Sequence, residues 1–237
     1  MYKINTLHLI EGAKQAEGLT VIIDVFRAFS LECYLYDMGI KEIRPVGTIE
    51  EAFFLRNCIK DSILIGERHG EKCEGFDYGN SPSVIFREHV EGKTIIHTTS
   101  AGTQGIVNAV GASEIITGSL VNAKAVAKYI IMQRPETVSL VCMGNEGIKP
   151  AVEDELCAAY IKSILEGKGF SDFEQKVFDL KVHGGAHFFD RYRQHIFPEA
   201  DFWMCIDYDR FPFIIKIDKD EFGFIARKEN VHQDCGK

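Results

Sequence analysis

KTIIHTTSAGTQGIVNAV, residues 93–110, divides into three parts. The β-branched, apolar run KTIIHT has the composition of a buried strand. TTSAGTQG, from Thr98 to Gly105, is a loop of small hydroxylated residues and glycine, and IVNAV reads as the opening of a helix. A strand that feeds such a loop into a helix start gathers several backbone N–H groups and the positive end of the helix dipole at one spot. Phosphate, sulfonate or carboxylate is favoured there. The same composition also serves plain tight turns, so the loop takes its weight from its surroundings.

Working outward, apolar runs of strand length recur: LTVIIDV (19–25), IKEIRPV (40–46), SILIG (62–66), SEIITG (113–118) and ETVSLVC (136–142). Between them, 27–38, 49–59, 101–110, 121–132 and 153–166 carry apolar residues at helical spacing, with Thr48 and Asn122 as capping candidates. Strand and helix alternating over short connections is the signature of βαβ units. The pattern predicts an α/β fold of three layers, α/β/α, around a mainly parallel sheet, with mixed pairing left open. After about residue 170 the rhythm changes. FPFIIKIDKDEFGFIARK (211–228) predicts a C-terminal hairpin, and the glycine pair of HGGAH interrupts any helix there. No repeat, low-complexity tract or boundary signal divides the chain, so 1–237 is read as one domain.

Composition narrows the function. A 237-residue chain with 46% hydrophobic and 26% charged residues can bury a real core. A net charge of −8 without a dense Lys/Arg stripe excludes nucleic acid as the expected partner. No apolar run is long enough to span a bilayer, and MYKINTLHLI lacks the plan of a signal peptide, so neither a membrane nor secretion is expected and the cytoplasm is. Cysteines 33, 58, 73, 142, 157, 205 and 235 are odd in number and contain no CxxC pair. Most are expected to be reduced core thiols. The partner is expected to be a small anion, and a homo-oligomer is compatible with everything above.

Several phosphatase chemistries fail against the residues. None of the seven cysteines has an Arg six positions later, so a thiolate phosphate loop is absent. IDYDRF places Asp207 and Asp209 like an aspartyl phosphatase pair, but Phe211 fills the hydroxyl position. Arg68–His69–Gly70 has the RHG tripeptide of histidine phosphatases, yet follows the third predicted strand and has Glu67 ahead of it. His183 and His187 are four apart, but Gly184 and Gly185 between them break a zinc-binding helix. They read as solvated loop histidines, with a substrate-site role left open.

What remains is a carboxylate-rich cleft. In open α/β sheets ligands sit beyond the carboxyl ends of the strands, and here those ends carry Asp24 with Arg27, Glu67 with Arg68, and Glu153 with Asp154. Asp24 ending VIID is as well suited to capping a helix as to chemistry. GERHGEKCEGFDYGNSP (66–82) is a long connection that adds Asn80 and Ser81, and connections of this length are usually functional or disordered. Acidic residues at 153–155 also complement a helix dipole, which accounts for one carboxylate better than for three.

At these residues the chain resembles the 2-phosphosulfolactate phosphatase family. VIIDVFRAFS (21–30), GERHG (66–70), GFDYGNSP (75–82), TTSAGT (98–103), GSLVNAKAVA (118–127) and EDELCAA (153–159) match that family in order and spacing. One departure is the loop, where the family's TTNGT reads TTSAGT. The resemblance implies a Mg²⁺-dependent acid phosphatase that removes phosphate from (R)-2-phospho-3-sulfolactate and leaves 3-sulfolactate, on the route to coenzyme M.

The residues are consistent with that implication. A doubly anionic substrate needs cationic and N–H donors, which Arg27, Arg68, Asn80, Ser81 and the loop of Thr98, Thr99, Ser100, Gly102 and Thr103 can supply. Carboxylates alone would repel it. A hard divalent cation resolves the conflict, because Mg²⁺ takes oxygen ligands at about 2.0–2.1 Å while touching substrate phosphate. Asp24, Glu67, Glu153 and Asp154 are the expected ligands, and Asp24, Arg27, Glu67 and Arg68 the expected catalytic group. Attack on phosphorus by metal-activated water and attack by Asp24 both remain open. Two other readings stand beside this one: a non-catalytic sensor of a phosphorylated or sulfonated metabolite, and a phosphatase of another phosphorylated hydroxy acid.

Overall fold

The computed structural model describes residues 2–231. Among them, ten strands form one sheet: β1 (Lys3–His8), β2 (Gly18–Ile23), β3 (Glu42–Pro45), β4 (Ser62–Arg68), β5 (Glu71–Lys72), β6 (Thr94–Thr98), β7 (Ala112–Gly118), β8 (Thr137–Cys142), β9 (Phe213–Asp220) and β10 (Gly223–Asn230). The helices are α1 (Leu9–Lys14), α2 (Ala28–Asp37), α3 (Ile49–Cys58), α4 (Arg87–Val90), α5 (Gly102–Asn108), α6 (Ala123–Gln133), α7 (Val152–Leu165), α8 (Phe173–Asp179) and α9 (Glu199–Ile206). All six strands and all five helices expected from the apolar periodicity are present. Thr48 caps α3 through a reciprocal pair of hydrogen bonds with Glu51. Asn122 does not cap α6. A single 3₁₀ turn, Leu120–Asn122, precedes that helix, and Oδ1 of Asn122 accepts the Ser119 N–H instead.

The strand order is β1-β8-β2-β7-β9-β10-β3-β6-β4-β5. β1, β8, β2 and β7 pair in parallel, and so do β3, β6 and β4. The expected hairpin, β9–β10, lies between these groups and pairs antiparallel with β7 on one side and β3 on the other. The sheet is therefore mixed and mainly parallel. Five strand-to-strand steps separate β2 from β6, and at 20–25° each the accumulated twist is roughly 100–125°. That turns the two parallel groups across one another, and the α2 and α5 helices meet between them.

Burial follows the layers. Phe29, Leu31 and Leu35 of α2 pack with Ile43, Ile106 and Ile215 in a core between the two groups. Val126 and Ile130 of α6 and Cys157 and Ile161 of α7 cover the other face of the first group with Val21, Ile23 and Leu140. Ala52 and Leu55 of α3 cover the second group at Leu64 and Ile96. VIID and TIIHT are continuous apolar runs because these strands are buried on both faces. Cys33, Cys73, Cys142, Cys157 and Cys205 are buried free thiols and Cys58 is an exposed one; Cys235 lies outside the described residues. Among the described residues no helix is long and apolar enough to cross a membrane.

Candidate active site

Asp24 directly follows the last residue of β2 and is 7% exposed. Its Oδ1 accepts the Ala28 N–H at 3.2 Å, and the Gly102 amide also points at it. A Cβ at Gly102 would lie 2.9 Å from Oδ2 of Asp24, so the glycine permits α5 to approach this carboxylate. From β4, Glu67 reaches the same region. Its Oε1 accepts the Ser100 N–H at 2.7 Å, and Oε2 accepts the Gly70 N–H at 2.8 Å and the Ser100 hydroxyl at 3.2 Å. Two amides of the 98–103 loop, those of Ser100 and Gly102, are thus directed at two protein carboxylates. This is the anion preference read from the sequence, satisfied from inside the chain.

The first turn of α7 contributes the other acidic pair. Asp154 is clamped, with Oδ1 accepting from Val25 N–H at 2.8 Å and Oδ2 from Gly144 N–H at 2.7 Å. Glu153 is 4% exposed, and its Oε2 is a buried oxygen with no hydrogen-bond partner. Gly184, at φ +122°, stands against it, and a Cβ there would fall 2.7 Å from that oxygen. Burial, then the Asp154 charge, hold the Asp24 carboxyl well above the usual carboxylate range. Burial, then Asp24, push Glu153 up to about 7. Burial, then Glu153, push Asp154 up to about 8, against the pull of its two amide donors. No three of Asp24, Glu67, Glu153 and Asp154 bring oxygens within 4.8 Å of one another.

Arg27 does not neutralise this group. Its Nη1 bonds Oδ2 of Asp201 at 2.7 Å and the Ile196 carbonyl at 2.8 Å, its Nη2 reaches the Gly70 carbonyl at 3.3 Å, and both charged side chains are buried. Asp201 also accepts from the Ser81 hydroxyl and the Ser83 amide. Ser81 therefore holds the Arg27 partner rather than facing the carboxylates.

Asp24, Arg27, Glu67, Asn80 and Ser100 line one cavity of about 350 Å³, together with Phe26, His69, Gly144, Glu146, His187, Arg193 and Phe197. Arg68 is not on that wall. Successive strand residues point to opposite faces, and its guanidinium donates to the Glu67 and Gly47 carbonyls and the Thr98 hydroxyl. Thr99 and Thr103 bond each other's backbone and hydroxyl groups. Thr98, Thr99 and Thr103 thus brace the loop from behind. His69 pairs with Glu146 at 2.9 Å across the mouth, which raises its pKa, and its side chain is 80% exposed.

Arg193 and a buried pair behind the cavity escape the sequence reading, which leaves a substrate-site role open for His187. The Arg193 guanidinium stacks 4.7 Å over the Phe197 ring and forms no side-chain hydrogen bond or ion pair among the described residues. His187 is half-buried, not solvated, and burial and then the Arg27 charge push it down to about 4, so its imidazole is neutral near pH 7. His183 is exposed, as expected, and does not line the cavity. Behind Asn80, Nε2 of His97 lies 3.2 Å from the amide oxygen, and Nδ1 lies 2.9 Å from Glu32, both side chains fully buried.

Residues 4–195 match the model of the family described as 2-phosphosulpholactate phosphatase. A protein of Caldanaerobacter subterraneus subsp. tengcongensis is 34% identical over 228 residues, covering 90% of this chain and 92% of its own. One from Carboxydothermus hydrogenoformans is 40% identical over 69% of this chain and 67% of its own, and one from Bacillus subtilis is 30% identical over 85% and 88%. All three are named "Probable 2-phosphosulfolactate phosphatase". Four of the six sequence blocks line this cavity, and these matches show that the chain belongs to the 2-phosphosulfolactate phosphatase family, a family of phosphoric monoester hydrolases.

Proposed function

We propose that this chain hydrolyses the phosphate monoester of (R)-2-phospho-3-sulfolactate to 3-sulfolactate and phosphate, with Mg²⁺ as cofactor. The observation that carries the reading is the buried carboxylate group of Asp24, Glu67, Glu153 and Asp154 beside a cavity whose near cation, Arg27, is already bound by Asp201. Such a group retains excess negative charge that protons or a metal ion must offset. Hard oxygen donors suit Mg²⁺, which commonly uses only one or two carboxylates plus substrate phosphate. The unpartnered Oε2 of Glu153 and the cavity-lining Asp24 fit that role. Glu67 and Asp154, whose oxygens hold the amides of residues 70, 100, 25 and 144, position the loops around them. Bound there, Mg²⁺ would neutralise phosphate oxygens and act as a Lewis acid on the phosphoryl group.

The chain's own residues supply recognition. Arg193 offers a free guanidinium fork to a phosphate or sulfonate, with Phe197 limiting its motion. Neutral His187 can donate or accept one hydrogen bond without adding charge. Asn80 presents an amide fixed by His97. The phenyl rings of Phe26 and Phe197 restrict water on one wall.

Phosphate release from phosphosulfolactate, phospholactate and phosphoglycolate, each with Mg²⁺ and with excess chelator, tests the proposal. Release that is fastest with phosphosulfolactate and abolished by chelator is expected. A faster unsulfonated substrate would redirect the specificity, and full activity in chelator would remove the metal. Tight binding of phosphosulfolactate without any phosphate release would instead make the chain a sensor.

A further inference from the structure

A second group of metal-ligating side chains lies outside the cavity. In the parallel register of β1 and β8, His8 stands opposite Cys142, so the two side chains leave the same face of the sheet next to each other. The first turn of α7 brings Glu155 over both. Nδ1 of His8 is 2.8 Å from Oε1 of Glu155, and one ligand atom from each of His8, Cys142 and Glu155 lies within 4.8 Å of the others. Among the described residues this is the group of three that meets that spacing.

We propose that His8, Cys142 and Glu155 form a binding site for a single borderline-soft divalent ion of the Zn²⁺ type, with its fourth position open to water. One imidazole, one thiolate and one carboxylate make a mixed N, S, O donor set, which suits Zn²⁺ or Co²⁺ and is a poor match for Mg²⁺. Tetrahedral Zn²⁺ with bonds of about 2.0–2.3 Å sets its donors roughly 3.3–3.8 Å apart. The His8 and Glu155 donors, 2.8 Å apart, therefore need to open by about half an ångström, and the Cys142 sulfur, within 4.8 Å of both, to close by up to about 1.5 Å, which rotamer adjustment can supply. An entry path exists, because the His8 and Glu155 side chains are 47% and 39% exposed while Cys142 forms the buried floor. On binding, the Cys142 thiol gives its proton to solvent, the lost S–H being replaced by a sulfur–metal bond. At present that thiol faces the Asp154 carbonyl at 3.6 Å. A bound ion would tie β1, β8 and α7 together beside the turn that carries Glu153 and Asp154.

The test is a Co²⁺ titration of the full chain in saturating Mg²⁺, so that oxygen ligands in the cavity are already held. A thiolate-to-cobalt charge-transfer band that saturates at one equivalent and is displaced by Zn²⁺ is expected. Cys142→Ser should abolish the band, Cys58→Ser should leave it intact, and His8→Ala should weaken Co²⁺ binding about tenfold or more. Because His8 is half exposed, its variant is expected to keep the wild-type melting curve in chelator, which separates ligand loss from unfolding. No band in the wild-type chain, or an undiminished band in Cys142→Ser, would overturn the site.

Discussion

Glu153→Gln separates a carboxylate retained for metal binding from one retained for stability. Glu153 is 4% exposed and is pushed from its ordinary range near 4.5 up to about 7, by burial and then by Asp24. A carboxyl raised in the folded state favours the fold while it is protonated, and that contribution is lost as pH climbs from the unfolded value through the folded one. For metal-free protein the loss runs from about pH 4.5 to about pH 7. At 1.36 kcal/mol per pH unit it amounts to about 3 kcal/mol. Glutamine keeps the shape without the charge, so the variant should be about 1–3 kcal/mol more stable than wild type at pH 8 in chelator and nearly equal to it at pH 4.5. Urea denaturation at the two pH values, with chelator and with Mg²⁺, reads this directly. Mg²⁺ should stabilise the wild-type chain at pH 8 and leave the variant almost unchanged. A variant that is less stable at pH 8, or one whose difference from wild type is the same at both pH values, would refute the electrostatic account.

Other perturbations follow from the same geometry. Asp201→Ala leaves Arg27 buried without its partner and should cost about 3–5 kcal/mol by denaturation; a loss below 1 kcal/mol would mean that the pair is solvated. Arg193→Ala should raise KM for a substrate with two anionic groups by roughly 10- to 150-fold, from loss of a charge-assisted hydrogen bond of about 1.5–3 kcal/mol, with little change in kcat. An unchanged KM would place the substrate elsewhere. His69→Ala should leave phosphate release within a few-fold of wild type, since the ring is exposed and tied to Glu146; complete loss would revive a histidine nucleophile.

The fold was legible where local pattern decides it. VIID, SILIG and KTIIHT are buried on both faces and announce themselves as continuous apolar runs, and the helices between them carry clear periodicity. β1 and α1 were missed because KINTLH alternates weakly and passes into LIEGAK without a turn residue. The β9–β10 hairpin was visible, but its place between the two parallel groups was not, since strand neighbours far apart in sequence leave no local trace. The site divides the same way. Asp24, Glu67, Glu153 and Asp154 stand at element ends, where ligands gather, and could be found. The Arg27–Asp201 pair joins residues 174 apart, so nothing near Arg27 showed that its charge was taken. Glu32 in FSLECYLY and His97 in TIIHT do carry a signal, a titratable residue inside an apolar run. Arg193 sits in a stretch with no periodicity and no motif.

Asp24→Asn under Mg²⁺ with phosphosulfolactate tests the central claim most directly. The amide keeps the shape and an oxygen able to accept the Ala28 N–H, so the melting temperature should hold or rise. If Asp24 holds the metal or meets the phosphoryl group, phosphate release should fall at least about 10³-fold, of the order of 4 kcal/mol in the barrier. Turnover near wild type in a folded Asp24→Asn protein would show that this carboxylate only anchors α2, and would contradict the account.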